Sequence, residues 1–72
     1  MIKIGDNVNW RGGFGNDLPL SAKVTGMSIT EHPREKYGEP VIEVAKDLVR
    51  HNRVVFELDN GHWCYSDQID LN

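Results

Sequence analysis

Four side chains near the C-terminal end of the chain belong to the types that ligate metals or act in covalent catalysis. They are Glu57, Asp59, His62 and Cys64. A structural zinc site closes around four ligands, and a solvent-facing His-x-Cys pair lacks the second pair that such a site needs. A nucleophilic thiol needs a lowered pKa, whereas the neighbouring Glu57 would raise that of Cys64. The sequence therefore predicts no metal site, no cofactor and no enzymatic activity.

A glycine-rich segment, Gly12-Gly13-Phe14-Gly15, is the second candidate for chemistry. Backbone N–H groups of such segments can cradle phosphates, but this one lacks the Lys-Ser/Thr of a P-loop and the strand-to-helix context of a dinucleotide site. A flexible hairpin tip is the simpler interpretation. The ring of Phe14 is then either folded onto the core or presented to a partner, and the sequence leaves both open.

Length and composition limit the classes of protein to consider. A chain of 72 residues forms one domain, residues 1–72, and buries only about 60% of its unfolded surface. The single cysteine, Cys64, excludes an intrachain disulfide and favours a reducing, cytoplasmic setting. The N-terminus does not resemble a signal peptide, and no apolar run approaches the roughly 20 residues of a membrane span.

The net charge of −3 is unevenly distributed. Residues 1–36 carry five basic and four acidic residues (+1), and residues 37–72 carry three basic and seven acidic residues (−4). A nucleic-acid binder neutralises phosphates with a basic surface, so only the first half could supply one. Its basic residues are Lys3, Arg11, Lys23, Arg34 and Lys36.

The first half of the chain shows two strands separated by a long loop. Residues 1–11 turn at Gly5-Asp6, and apolar and polar residues then alternate as in a half-buried strand. Residues 11–20 are too rich in turn-forming residues for a helix or strand and form a long loop. Residues 21–30 form the second strand, in which the apolar phase shifts by one at Gly26, as a β-bulge would produce. Residues 31–40 are polar and form the tip of a second long hairpin.

The second half contains a short β-branched run, residues 41–44, and a helical turn within residues 45–50. A tight turn at residues 66–68 then precedes a last short strand, residues 69–71. The strongest signal lies between these elements, where two alternating runs flank Asn60-Gly61. This dipeptide is typical of a two-residue type I′ hairpin loop.

The two-residue loop fixes a register for the hairpin, in which Leu58 pairs with Trp63 and Phe56 with Tyr65. One face then consists of Val54, Phe56, Leu58, Trp63 and Tyr65. The opposite face consists of Val55, Glu57, Asp59, His62, Cys64 and Ser66. Because a slip by one residue would bury the acidic residues, we predict that the first face packs into the core.

Five short strands, two long early loops and one tight Asn-Gly hairpin predict an all-β fold, a small five-stranded barrel. The chain resembles the SH3-like barrel superfamily in its broad sense, which includes Tudor and KOW-type domains. The likeness rests on Ile4-Gly5-Asp6-Asn7-Val8, Lys23-Val24-Thr25-Gly26 and the closing Gly61-His62-Trp63 with Asp67-Gln68-Ile69. The chain also looks like small proteins of phages and mobile elements.

The resemblance implies a ligand site near the two long early loops, where aromatic side chains bind the ligand. Trp10, Phe14 and Tyr37 could converge there and stack on a base, a proline or a methylated ammonium group. Core packing is an equal alternative for Trp10 and Tyr65. For Phe56 and Trp63, cross-strand pairing favours the core.

Three functional hypotheses follow. The first is a non-catalytic interaction module that binds a protein segment or peptide through Trp10, Phe14 and Tyr37 or along a strand edge. The second is a nucleic-acid-binding accessory domain that uses Arg11, Lys23, Arg34 and Lys36. The third is an inhibitor whose acidic hairpin face enters a basic enzyme groove. An exposed strand edge could also give a homodimer.

Overall fold

A computed structural model describes residues 1–70, except for the side chains at positions 14 and 15. The strands are β1 (Ile2–Lys3), β2 (Asn7–Trp10), β3 (Leu20–Ile29), β4 (Glu39–Val41), β5 (Glu43–Val44), β6 (Val54–Leu58), β7 (Trp63–Tyr65) and β8 (Ile69–Asp70). The helical segments are α1 (Gly12–Gly15), α2 (Lys46–Arg50) and a 3-10 turn (Ser66–Gln68). Within the described residues, no helix has both the length and the apolar character to cross a membrane.

The main sheet is antiparallel, with the order β7-β6-β3-β2-β8, and β4 pairs with β3 beside this path. Strands β1 and β5 form a separate two-stranded sheet. The ten-residue β3 links the halves of the main sheet, because its first residues pair with β2 and its last residues with β4 and β6.

The register between β3 and β6 shifts between Val24 and Gly26, so the predicted bulge is confirmed. A bulge bends and twists a strand, and the sheet curls here. The structure thus confirms a small all-β fold.

The glycine-rich segment differs from the predicted loop. Residues 12–15 form one helical turn, which is closed by hydrogen bonds from the N–H groups of Asn16 and Asp17 to the carbonyls of Gly13 and Gly12. These local bonds satisfy the backbone despite the entropic cost of ordering glycine. The helical turn predicted within residues 45–50 is present as α2. The end of the last predicted strand, Leu71, lies outside the described residues.

A single apolar core lies inside the curl. Its members come from most strands and from α2: Ile2, Trp10, Ala22, Val24, Met27, Val44, Val49, Val54, Phe56, Leu58, Cys64 and Ile69. Phe56 and Cys64 have no exposed surface. The predicted core positions of Val54, Phe56 and Leu58 are therefore confirmed.

The hairpin between β6 and β7 has a different register from the predicted one. Glu57 pairs with Trp63 and Phe56 with Cys64, which leaves the three residues 59–61 in the loop. Gly61 adopts a φ of 84°, and its N–H donates to the Leu58 carbonyl at 3.2 Å. This is the three-residue alternative, in which glycine occupies a left-handed bulge position. The predicted two-residue loop is wrong.

Hydrogen bonds between Asp59 and β3 give the physical reason for this register. The Asp59 N–H donates to the Lys23 carbonyl at 2.9 Å, and the Asp59 carboxylate accepts from the Lys23 N–H at 3.1 Å. Asp59 is thereby bound to β3 and does not pair with His62. His62 instead donates its N–H to Asn60 Oδ1 at 3.0 Å.

The change of register by one residue turns β7 over, because side chains alternate between the two faces of a strand. Cys64 and Ser66 point inward and are buried, whereas the Trp63 side chain points outward and is 43% exposed. Tyr65, two residues from Trp63, is half-buried on the same outer face. The predicted core position of Trp63 is wrong for this reason, and Tyr65, for which core and surface were equal alternatives, lies half-buried on the outer face.

Where the chain leaves β7, the side-chain hydroxyl of Ser66 makes the hydrogen bonds that the backbone of a strand residue would otherwise make. Its hydroxyl accepts from the Val54 N–H at 3.0 Å and donates to the Val54 carbonyl at 2.6 Å. These are the backbone groups of β6 that a further β7 residue would otherwise bind. The chain can therefore turn into the 3-10 segment without leaving buried polar groups unpaired.

We expect Ser66→Ala to lower the free energy of unfolding by about 2 to 4 kcal/mol, because it leaves a buried N–H and a buried carbonyl without a partner. Urea unfolding followed by tryptophan fluorescence measures this change. Ser21→Ala, at an exposed position of β3, is the matched control and should change the stability by less than about 0.5 kcal/mol. Equal effects of the two substitutions would contradict the assigned role of Ser66.

Candidate functional site

The outer face of β7 presents two aromatic side chains, Trp63, which the sequence pattern assigned to the core, and Tyr65, which it left open. The rings of Trp63 and Tyr65 meet edge to face, with their centroids 5.2 Å apart. Such a contact stabilises an aromatic pair by about 0.5 to 1.5 kcal/mol beyond the burial of its area. The two rings therefore hold each other in position on a rigid strand.

Arg34 comes from the connection between β3 and β4 and covers one end of this pair. Its guanidinium lies 4.6 Å from the centroid of the Tyr65 ring and also forms an ion pair with Asp67. Arg34 has a φ of 60°, in the left-handed region that costs a non-glycine residue about 1 to 2 kcal/mol. Its N–H donates to the Asn52 carbonyl at 3.0 Å. These contacts offset the strain and fix the connection against the sheet.

Lys36 links the other end of the pair to a third ring. Its Nζ lies 4.8 Å from the centroid of Trp63 and 5.6 Å from that of Tyr37. Both distances are within the range of cation–π attraction. The Tyr37 side chain is 79% exposed. Five side chains thus form a continuous surface, here called the aromatic–cation face: Arg34, Lys36, Tyr37, Trp63 and Tyr65.

A groove of about 450 Å³ runs beside this face, between Tyr37 and Trp63. Val55 lies at its floor and is buried although it does not belong to the core cluster. It is therefore covered from the outer side of the sheet. The groove also contains Lys36 and Glu57, which carry opposite charges. It combines an apolar floor, two aromatic walls and two charged groups, as binding sites commonly do.

The structure places Trp10 and Tyr37, two of the three aromatic residues of the predicted ligand site, in different surroundings. Trp10 is only 8% exposed and belongs to the core cluster, where its ring stacks on His62 at 4.8 Å. Tyr37 lies on the aromatic–cation face. The side chain of Phe14 lies outside the described residues. Trp10 lines a second depression, between α1 and the hairpin, which Trp63 also borders.

The four basic residues of the nucleic-acid hypothesis are also divided. Arg34 and Lys36 lie together on the aromatic–cation face, whereas Arg11 forms a salt bridge with Asp70 through its Nε at 3.1 Å. Lys23 is exposed on β3, where its backbone binds Asp59. Carboxylates therefore neutralise two of the four, Arg11 and Arg34.

The potential metal ligands of the hairpin lie on different sides of the sheet, because Glu57 is exposed on the outer face and Cys64 is enclosed in the core. No cluster of three His, Cys, Asp or Glu residues suited to a metal ion occurs in the described part of the chain. Burial raises the pKa of the Cys64 thiol to about 12, and the charge of Asp67 adds to this effect. The main cause is thus the enclosure of the thiol in the core.

Trp63 is the surface residue that the sequence pattern did not identify, and Tyr65 was left open between core and surface. A two-residue loop turns both rings toward the core face. Asp59-Asn60-Gly61 also fits a three-residue loop with glycine at the bulge position, and that alternative turns both rings outward.

Comparison with protein-family models, with curated proteins and with solved structures finds no match to this chain.

The burial of Cys64 gives a pH-dependent prediction. Raising its pKa from 9.0 to about 12 lowers the thiolate fraction at pH 8 by roughly a thousandfold. We expect the native chain to react with a disulfide reagent at pH 8 far more slowly than the urea-unfolded chain. The same shift destabilises the fold as the pH rises above 9, because the thiol ionises first in the unfolded state.

The control is a chain in which Cys64→Ala is combined with Trp63→Cys. Its single thiol is on the outer face and should react at a rate close to that of the unfolded chain. If Cys64 of the native chain reacts as fast as this control, the assigned register of β7 is incorrect.

Proposed function

We propose that the protein is a non-catalytic module that binds an extended segment of another protein across the aromatic–cation face. The observation that carries the proposal is the aromatic pair on the outer face of β7, in which Trp63 is exposed and Tyr65 is half-buried. Tryptophan, tyrosine and arginine are the residues that most often supply the binding energy of protein interfaces. All three types occur on this face.

The rigidity of the face supports the same function. The edge-to-face contact and the three cation–π contacts hold the side chains in place before a ligand arrives. Side chains that are already ordered lose less entropy on binding. In addition, β7 is a terminal strand of the main sheet, so an extended segment could add to its edge beside Trp63.

The topology supports a finer assignment of the fold to the SH3-like barrels. Five strands lie on one antiparallel path, a 3-10 turn separates β7 from β8, and β8 returns to pair with β2. Barrels of this type bind ligands on their surface because their interior is filled by side chains. The lone, buried Cys64 is compatible with a reducing, cytoplasmic site of action.

Binding of single-stranded nucleic acid is the second candidate. Aromatic rings beside cations are the arrangement that such proteins use, and Arg34 and Lys36 lie beside three rings. The electrostatics favour a protein segment, however. Asp67 neutralises Arg34, and Glu57 lies in the groove where it would repel phosphates.

We expect the double substitution Trp63→Ala and Tyr37→Ala to abolish capture of the partner, because an interface aromatic anchor typically contributes about 2 kcal/mol, or about 30-fold in affinity, for each ring that is lost. The measurement is affinity capture from a lysate with and without nuclease treatment, quantified by mass spectrometry. Circular dichroism should show an unchanged fold, since both side chains lie outside the core.

Leu18→Ala with Ile42→Ala is the matched control, because both side chains are at least as exposed as Trp63 and neither belongs to the face. It should leave capture unchanged. Equal capture by the wild type and the Trp63/Tyr37 variant would place the site elsewhere. Capture that depends on nucleic acid, and that weakens steeply with salt, would favour the second candidate.

A further inference from the structure

Two opposite charges lie in the groove beside the aromatic–cation face, and within residues 1–70 neither has a salt-bridge partner. The salt bridges of the described residues join Arg11 to Asp70, Arg34 to Asp67 and Arg50 to Asp47. None of them includes Lys36 or Glu57, although both line the groove. The cationic group of Lys36 is held by rings alone, so it remains available to an anion.

Glu57 occupies a defined place in the groove. Its carboxylate lies over Gly26, where a Cβ atom would come within 2.7 Å of Oε2. The glycine that follows the bulge of β3 therefore leaves room for this carboxylate. Thr25 and Ser28 of β3 line the same part of the groove. Lys36 lies at the aromatic wall, between Tyr37 and Trp63, so the groove carries both signs of charge around an apolar centre.

We propose that the occupant of the groove is an extended peptide segment with charges of both signs, in which an acidic residue pairs with Lys36 and a basic residue pairs with Glu57. An apolar residue between them rests on Trp63 and Val55. The inference depends on the proposed function and adds the chemistry of the partner to it. Charge complementarity of this kind sets the specificity and the register of a bound segment more than its affinity.

The same charges argue against other occupants. A single strand of nucleic acid offers phosphates to Lys36 but no cation to Glu57, whose carboxylate would repel the phosphates. A uniformly acidic or basic peptide satisfies one of the two groups and is repelled by the other. Only a segment with both charges leaves neither group of the groove uncompensated.

The test uses blocked synthetic peptides whose central Leu-Pro-Leu is flanked by Asp and Arg. Both orders of the charges are included, with one, two or three alanines as spacers. Variants of each peptide replace the Asp, the Arg or both by Ala. Binding is followed by NMR from the indole N–H resonance of Trp63, while the buried Trp10 serves as an internal reference. A ten-residue oligothymidylate is titrated in parallel.

We expect the doubly charged peptide of one order and spacing to bind best, and each charge-to-alanine change in it to weaken binding about two- to fivefold, as exposed ion pairs do. In Lys36→Gln, loss of the peptide Asp should no longer matter, while loss of the Arg still does. In Glu57→Gln, the reverse holds. Such cycles isolate each pairing from other effects of the substitution. Lys23→Gln and Glu43→Gln, outside the groove, should leave all affinities unchanged.

The outcomes separate the two levels of the proposal. If the uncharged peptide shifts the Trp63 resonance as strongly as the charged one, the charge pairing is wrong while the peptide-binding face stands. If no peptide of the set shifts Trp63, both are overturned. Stronger, salt-sensitive binding of the oligothymidylate, or a Trp63 resonance that moves with protein concentration alone, would identify nucleic acid or a second copy as the occupant and overturn the inference.

Discussion

Two hydrogen bonds between Asp59 and Lys23 set the register on which the rest of this structure depends. They bind the first residue of the hairpin loop to β3, so that the loop contains three residues and Gly61 takes the left-handed position. From that point, successive side chains of β7 point alternately into the core and toward the solvent. A loop shorter by one residue would exchange every inward and outward position of β7.

The register determines which side chains enter the core and which meet the solvent. Inside, the small Cys64 and Ser66 fit beside Phe56, and the Ser66 hydroxyl binds the last backbone groups of β6. Burial of two large rings in their place would gain more apolar area, but a core of this size is close-packed and has no room for them. Outside, the connection from β3 to β4 packs against the rings of Tyr65 and Trp63. Arg34 contacts the first ring and Lys36 contacts the second.

The sequence pattern was sufficient to predict the features that depend on residues close to one another along the chain. Alternation located β3 and the inward residues of β6, the phase shift at Gly26 located the bulge, and Asn60-Gly61 located the hairpin. The register was not predictable from the loop alone, since Asp59-Asn60-Gly61 fits loops of two or three residues and a contact with Lys23, 36 residues away, decides between them. The proximity of Lys36 to Trp63 likewise depends on long-range packing. Trp63 was therefore assigned to the core and Tyr65 was left open between core and surface, while Tyr37, Arg34 and Lys36 were identified as separate candidates.

The most direct test of the central claim is the set of cross-strand Hα–Hα nuclear Overhauser effects in the hairpin. Facing residues of a non-hydrogen-bonded antiparallel pair bring their Cα atoms to about 4.5 Å, so their Hα atoms give strong effects. Because Leu58 donates to the His62 carbonyl, we predict strong effects between Glu57 and Trp63 and between Val55 and Tyr65. A strong effect between Leu58 and Trp63 instead would contradict the register and, with it, the aromatic–cation face.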